Sequence, residues 1–477
     1  MDWYDFHEFI LKSGLGAETA LFSGIVLIVF CYLVLPGQSF GLSIWICLFS
    51  LAAAFYLSEY CPVDGSFQSL HFQYYTPILK RFFLISGAVG FFGYLEWRSG
   101  RNEAARPEIF ILLLLSLMGL MVMVSAQSLW LMFLAAEVFS LSSYALARPS
   151  GRDEESILSV VRYFGTGALA SALAIFGLSW LLGFEFSGLE TFSFEGAVFQ
   201  GLRIAGYMLF AGFLLFKSGS FPFHFWVPQL YEKAPTPWIG YISAAPKIAA
   251  AFCILGLTKM FSLPVSLPLF VLCISGLLIG NLAAFQSEKL KNLFGYSAVA
   301  QAAFLLVPSV FCQRMPNTEN QLLIYAIAYG IVNQGAFCAI QYFENHLQDE
   351  LKIKDLAGHF SVQPLPVLAF IVLIVSLIGL PPTIGFSSKL LLFSTLLPLV
   401  GDWSGTISYI LFAALIASSV LSLGYFYRIP YQLIFKPKTL EDIPLRGSAY
   451  SFFWLIVAGI FAVVAFFAPK FFFPVFS

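Results

Sequence analysis

Charge is what this sequence has least of. Lysine, arginine, aspartate and glutamate make up 11% of its 477 residues, against about a quarter in an ordinary soluble domain. A chain this poor in charge cannot clothe a water-facing globule. Cysteine is also sparse: seven residues, no CxxC pair, and five of them (Cys31, Cys47, Cys253, Cys273 and Cys338) inside apolar stretches. That gives no basis for a disulfide framework, a zinc site or an iron–sulfur site. The five histidines are dispersed, and no glycine-rich phosphate motif opens a helix. No metal, nucleotide or haem is therefore expected on this chain, and no nucleic-acid partner. Long polar segments are missing too. The widest loops, near 58–79, 183–202 and 344–362, are too short for an independent domain. The start carries Asp2, Asp5 and Glu8 where a cleavable signal would be basic, so the first apolar run is expected to be a retained helix.

What the chain does have is hydrophobic residues, 59% of the total, gathered into runs of membrane-crossing length. There are about fourteen such runs. They lie near 20–36, 40–57, 82–97, 107–125, 128–147, 158–182, 203–225, 236–258, 264–285, 293–311, 320–343, 363–398, 407–429 and 449–470. Lipid admits only helices or closed barrels, and barrel strands would be about ten residues long and alternating. The expectation is an all-α polytopic membrane protein, with the lipid bilayer as its surroundings. Loops on one side hold Arg98, Arg101, Arg106, Arg148, Arg152, Lys233, Lys289, Lys291, Lys352, Lys354, Lys436, Lys438 and Arg446. Loops on the other hold Lys12, Lys80, Arg81, Arg203, Lys259, Arg314 and Lys470. The richer side is expected to face the cytoplasm or an organelle matrix, which leaves both termini outward.

Five cations remain: Arg162, Lys217, Lys247, Lys389 and Arg428. Arg428 ends its run and can snorkel. The other four lie within apolar runs, as does one acid, Glu137. Each such charge costs about 2.5–3.5 kcal/mol at a helix centre on the insertion scale, so they must face the interior, pair, or lose their charge. One lysine near a helix end can be structural. Four cations and an acid on different helices mark an ion or proton pathway. Lysine can cycle between charged and neutral forms because desolvation lowers its pKa. Arginine stays charged, so Arg162 is expected to tune its neighbours. Polar side chains accompany the charges at helical spacing: Ser140 and Tyr144 beside Glu137, Ser243 before Lys247, the Tyr325–Tyr329–Asn333 stripe, and Ser297 with Gln301. Taken singly, each is explained by interhelical hydrogen bonding. Together with the charges they read as the wall of a hydrated row.

Two of the runs are interrupted. In "LLFKSGSFPFHFWVPQLYEKAPTP" (214–237), Pro222 follows Lys217 and His224 follows the proline. In "LIGLPPTIGFSSKLLLF" (377–393), Pro381 and Pro382 precede Lys389. Proline removes a donor and frees a carbonyl. Such backbone is tolerated at membrane depth only inside protein or beside a wet cavity. Breaks in corresponding places of two halves point to a repeated transporter core.

These stretches resemble a family. "FPFHFWVPQLYEKAPTP", "LIGLPPTIGFSSK", "DLAGHF" (355–360) and "AAEVFSLSSYAL" (135–146) are similar, in order and interval, to segments of the antiporter-like proton-pumping subunits of respiratory complex I. "PKIAAAF" (246–252) points to the branch counterpart to mitochondrial chain 2. The resemblance covers 105–430 well and the first hundred residues weakly. It implies fourteen helices with two inverted five-helix repeats, whose seventh and twelfth helices are broken. The segments are then 1–104 for the first three helices, 105–260 and 261–430 for the repeats, and 431–477 for the last loop and helix. It implies that Glu137, Lys217, Lys247 and Lys389 transfer protons, with Glu137 paired to Lys217. His224, Gln301, Tyr325, Tyr329 and Ser243 then line the water row. It implies no redox centre or metal in this chain, with NADH, FMN, iron–sulfur clusters and quinone held elsewhere in the complex. The implied partners are a neighbouring antiporter-like subunit and the small membrane subunits. The implied location is the bacterial inner membrane, or an organellar inner membrane. Two positions depart from the family pattern: Arg162 stands for a lysine and Gln301 for a histidine. A cation/proton antiporter subunit, a membrane-hydrogenase relative and a non-conducting scaffold share enough of these features to remain open.

Overall fold

The computed structural model of the chain describes residues 14–35, 37–62, 65–67, 70–101, 103–149, 154–186, 197–261, 266–315, 317–347, 350–396, 403–437 and 448–469. The helices are α1 (Gly16–Val34), α2 (Ser39–Leu57), α3 (Thr76–Arg101), α4 (Glu108–Ser125), α5 (Leu129–Leu146), α6 (Glu154–Phe186), α7 (Ala197–Ser218), α8 (Trp226–Lys233), α9 (Thr236–Phe261), α10 (Ser266–Gln286), α11 (Leu290–Phe311), α12 (Thr318–His346), α13 (Pro364–Ile378), α14 (Ile384–Leu396), α15 (Trp403–Phe426), α16 (Arg428–Phe435) and α17 (Ala449–Phe467). Among the described residues thirteen spans are long and apolar enough to cross a membrane, and α13 and α14 are shorter apolar helices in place of the 363–398 run. Among the described residues each apolar run read from the sequence coincides with helix, except that the 203–225 run continues past the end of α7 at Ser218 and the 363–398 run is split between α13 and α14. Among the described residues the helices are joined by a short hairpin of β1 (Gly65–Phe67) and β2 (Leu70–Phe72), paired antiparallel with Gly65 opposite Phe72.

The chain divides into two compact units. One holds 1–92, 102–148 and 164–213. Here α1 packs on α2 and α4, and α4 packs on α5. Lys80, expected in a loop, lies instead in the first turns of α3 and is wholly buried. Its Nζ sits 2.7 Å from Glu18 Oε1 and donates to the Gly14 carbonyl at 3.1 Å. The apolar run understated α3 because its first turn, "TPILKRF", carries the charges.

The second unit holds 93–101, 149–163 and 214–477. Its centre is α9, α11 and α12, which are almost wholly buried. Small residues make this possible: "AAPKIAAAF" in α9 and "AVAQAAF" in α11 let backbones approach closely without unfilled space. Glu96, from the last turns of α3, is buried there. Its Oε2 accepts the backbone N–H groups of Tyr450 and Ser451 at 2.7 and 3.1 Å. Its Oε1 accepts the Ser451 hydroxyl at 2.6 Å and Asn345 Nδ2 at 3.0 Å. A carboxylate from another helix thus caps the start of α17. Arg428 opens the short helix α16. Its Nη2 donates to the carbonyls of Ala284 and Ser287 at 3.0 Å each, closing the end of α10.

Candidate functional site: a polar row between two broken helices

In the second unit, α7 stops at Ser218 and α8 begins at Trp226. Gly219 makes the stop possible: its φ is +63°, where a side chain is strained. A Cβ there would meet Val227 at 2.5 Å and the Lys247 amine at 3.1 Å. Pro222, joined to Phe221 by a cis bond, lies in the non-helical stretch that follows. Lys247 reaches across from α9 and donates to the Ser218 carbonyl at 2.6 Å. Its amine therefore sits on the last carbonyl of a half-helix, the negative end of its dipole.

The second break repeats the arrangement. α13 stops at Ile378, and Gly379 at φ +89° follows. Pro381 and Pro382, also joined by a cis bond, come before α14. Lys389 Nζ donates to the carbonyls of Leu377 and Ile378 at 2.9 and 2.8 Å and lies 4.8 Å over the Phe304 ring. Both Lys247 and Lys389 are buried.

Polar side chains run between the two lysines. Ser243, one helical turn before Lys247, takes Asn333 Nδ2 on its hydroxyl at 2.6 Å and the Tyr329 hydroxyl on its carbonyl at 3.4 Å. Tyr329 stacks on Tyr325 at 6.4 Å. The Tyr325 hydroxyl donates to Gln301 Oε1, and Gln301 Nε2 donates to the Leu377 carbonyl at 3.2 Å. The row from Lys247 to Lys389 is buried throughout. Ser297 is buried on α11, one turn before Gln301.

Lys217 is buried at the end of α7, 5.3 Å over the Phe216 ring. His224 is buried in the break beside Phe225, at 4.5 Å between rings. In the first unit Glu137 is only half-buried, and its Oε1 accepts the Ser171 hydroxyl at 2.8 Å. Ser140 turns its hydroxyl back to the Ala136 carbonyl at 2.6 Å, so it serves its own helix. Tyr144 packs edge-on against Phe164. Arg162 departs from the interior position expected of it. It is exposed on α6 and donates from Nη1 to Gln229 Oε1 at 2.8 Å. Its length lets it reach an amide at the edge of α8, so the charge is met without being buried.

Sequence reasoning missed Glu18, Glu96 and Glu344 as buried acids, and placed Lys80 and Lys291 in loops. Glu344 and Lys291 form a buried pair at 3.2 Å. The signal for Glu344 was present: the Tyr325–Tyr329–Asn333 stripe continues at helical spacing through Gln341 to Glu344. Among the described residues no cluster of three histidine, cysteine or acidic side chains is placed to hold a metal.

A multi-pass helical protein with two interrupted helices, each ending on a buried lysine, is a membrane transporter core of the repeated kind. Residues 126–421 match the family described as NADH:quinone oxidoreductase/Mrp antiporter, TM, and the chain belongs to that family. It is 33% identical over 352 residues to NADH-quinone oxidoreductase subunit N 2 of Symbiobacterium thermophilum, covering 69% of this chain and 66% of that protein. It is 29% identical over 420 residues to NADH-quinone oxidoreductase subunit N of Trichlorobacter lovleyi, covering 84% and 83%. Its fold superposes on a chain of respiratory complex I from Thermus thermophilus with bound aureothin, with TM-score 0.80, 25% identity, and coverage of 96% of this chain and 98% of that one. The expected kinship with antiporter-like proton-pumping subunits of NADH-quinone oxidoreductase, and the expected fold, agree with these matches.

Proposed function

We propose that this chain is the proton-translocating subunit of an NADH–quinone oxidoreductase that corresponds to subunit N, and that protons move along its buried row as quinone is reduced elsewhere. The observation that carries this is the repeated geometry of Lys247, donating to the Ser218 carbonyl that ends one half-helix, and Lys389, donating to the Leu377 and Ile378 carbonyls that end another, with Ser243, Tyr329, Tyr325 and Gln301 between them. In this reading Glu137, Lys217, Lys247 and Lys389 carry protons, and His224 and the row's polar groups hold water between them. Glu137 and Lys217 share charge in one state, and Arg162 biases the entry end of the row. Gln301 orders water and hydrogen bonds without titrating. The repeats run over 105–260 and 261–430, flanked by 1–104 and 431–477.

The partners in this reading are a neighbouring antiporter-like subunit and the small membrane subunits, with NADH, FMN, iron–sulfur clusters and quinone bound by the rest of the complex. The chain lies in a bacterial inner membrane, or an organellar one, with both termini outward. Lysine that cycles between charged and neutral forms is the chemical core of the proposal. The test is proton uptake in vesicles carrying the assembled complex, normalised to complex content and electron-transfer rate. Lys217→Ala lowers it. Lys217→Arg lowers it too, because a guanidinium keeps its proton. Full uptake with arginine would show that Lys217 supplies a fixed charge, as in a scaffold.

A further inference from the structure

A second set of buried charges lies between the polar row and the basic face of the molecule. Lys291 Nζ on α11 is 3.2 Å from Glu344 Oε1 on α12. It also donates to the Ala234 carbonyl at 3.3 Å and to the Thr236 hydroxyl at 3.4 Å. The Thr236 hydroxyl donates to Glu344 Oε2 at 2.5 Å. The Glu344 side chain is 2% exposed and that of Lys291 10%. Burying such a pair is expensive, and hydrophobic residues of similar shape would serve packing as well. A purely structural role does not explain its retention.

Its position does. Lys289, two residues before Lys291, is in contact with Glu232 at 2.6 Å and Glu350 at 2.8 Å. Lys233, next to Ala234, meets Glu350 at 2.9 Å. These groups are part-exposed, so the buried pair lies one step beneath a charged, wet surface. On the inner side, Thr236, Gly240, Ser243 and Lys247 follow one another on a single face of α9. Thr236 to Lys247 is eleven residues, a rise of about 16 Å, or about half the thickness of a bilayer core. α12 runs beside it, with Glu344, Gln341, Phe337, Asn333 and Tyr329 on the facing stripe. Between the pair and Ser243 the lining is Gly240, with Phe337 packed where a side chain would go, and the Phe337 ring stands edge-on to Tyr231 at 5.7 Å. The pair at Glu344 and the row at Lys247 are thus separated by one short aromatic stretch.

We propose that Glu344 is the proton-loading residue of the row, held in place by Lys291 and Thr236, and that Phe337 closes the stretch between loading and transfer. This rests on the proton-transfer reading of Lys247. Glu344 begins as a carboxylate beside the Lys291 ammonium. A proton from the basic face adds to Oε1, which accepts no aligned hydrogen bond among the described residues. The neutral acid passes that proton inward through water, past Phe337, to a neutral Lys247 amine. Lys247 becomes an ammonium and Glu344 a carboxylate again, while Lys291 stays charged. One proton leaves the bulk and one is gained by the row.

The experiment measures the proton-to-electron ratio of the whole complex in sealed vesicles for Glu344→Gln, Glu344→Asp, Lys247→Ala and the double variant Glu344→Gln/Lys247→Ala. Glutamine keeps the shape and the Thr236 bond but takes no proton. The expected result is that Glu344→Gln lowers the ratio to that of Lys247→Ala, that the double variant falls no further, and that aspartate recovers most of the loss. Normalising to assembled complex separates this from a folding defect, and the aspartate variant keeps the test valid if glutamine assembles poorly. A normal ratio in Glu344→Gln beside a lowered one in Lys247→Ala overturns the loading role alone. A normal ratio in Lys247→Ala overturns the proton-transfer reading, and the loading role with it.

Discussion

Gln301 and Lys389 donate to the same oxygen. The Leu377 carbonyl, freed by the break after α13, accepts Nε2 of Gln301 at 3.2 Å and Nζ of Lys389 at 2.9 Å. The amide therefore does two jobs at once: it holds the Tyr325 hydroxyl through its oxygen and shares the lysine's acceptor through its nitrogen. A proton reaching Lys389 along the row must pass this junction.

Gln301→Leu leaves the Tyr325 hydroxyl buried without its acceptor. The expected loss is about 1–3 kcal/mol, read as a lower thermal midpoint of the assembled complex, together with a lower proton-to-electron ratio. Gln301→His restores a donor and an acceptor and keeps the ratio. An unaltered ratio in the leucine variant would remove Gln301 from the path.

Gly379→Ala tests the second break. At φ +89° an alanine costs about 1–2 kcal/mol, and its Cβ would meet Lys389 Cδ at 2.7 Å. The lysine must move off its two carbonyls. The variant is expected to lose both stability and proton uptake, whereas Gly41→Ala, with nothing within 4 Å, is expected to change uptake in neither direction.

The Glu18–Lys80 pair is tested by removing one partner and then both. Lys80→Met leaves a buried carboxylate uncompensated and is expected to cost about 3–5 kcal/mol. Adding Glu18→Gln removes the orphaned charge and recovers most of the loss. Thermal midpoints of the two variants decide this: equal destabilisation would mean that the two side chains do not interact.

The network on the basic face makes a pH prediction. A hydrogen bond from Lys289, together with Lys233, holds the Glu350 carboxyl below its ordinary value, against desolvation that works the other way. A depressed value means the contribution is present above the ordinary glutamate range and is lost as pH falls through the folded value. A hydrogen bond to Glu350 raises Lys233. Lys289 is raised as well, because its bonds to Glu232 and Glu350 outweigh desolvation. Their contribution is complete below the ordinary lysine value and lost as pH rises through the raised one. Backbone bonds from Leu290 to Leu351 and from Ile353 to Glu288 dock this loop. The protection factors of the Leu290 and Ile353 amides, exchange rates taken relative to the intrinsic rate at each pH, are therefore expected to fall in acid in the native protein. The acid dependence should flatten in Glu350→Gln.

The sequence made the breaks and the mid-run lysines legible because both violate the surrounding chemistry: a proline without a donor, a cation without water. It could not show which way Arg162 faces, because a helix apolar on every side carries no stripe to orient it. Lys80, Lys291 and Glu344 were lost for the opposite reason. They sit in the first or last turns of long helices, where hydropathy already reads as loop, although packing buries them. The short helices α8 and α16 were unreadable as separate elements, since eight residues beside a break look like the frayed end of a crossing. Tyr325 and Gln301 were legible as polar positions, but the chain from the Tyr325 hydroxyl through Gln301 to the Leu377 oxygen depends on three helices at once.

The capping of α17 by Glu96 has a consequence for how the protein is made. The carboxylate and the donors it serves are 355 positions apart in the chain. At about 5–20 residues per second a ribosome delivers Ser451 tens of seconds after Glu96. Until α17 is made, this acid lacks the Tyr450 and Ser451 donors that it has in the folded protein. Only when α17 has entered the membrane does the acid from α3 acquire these partners.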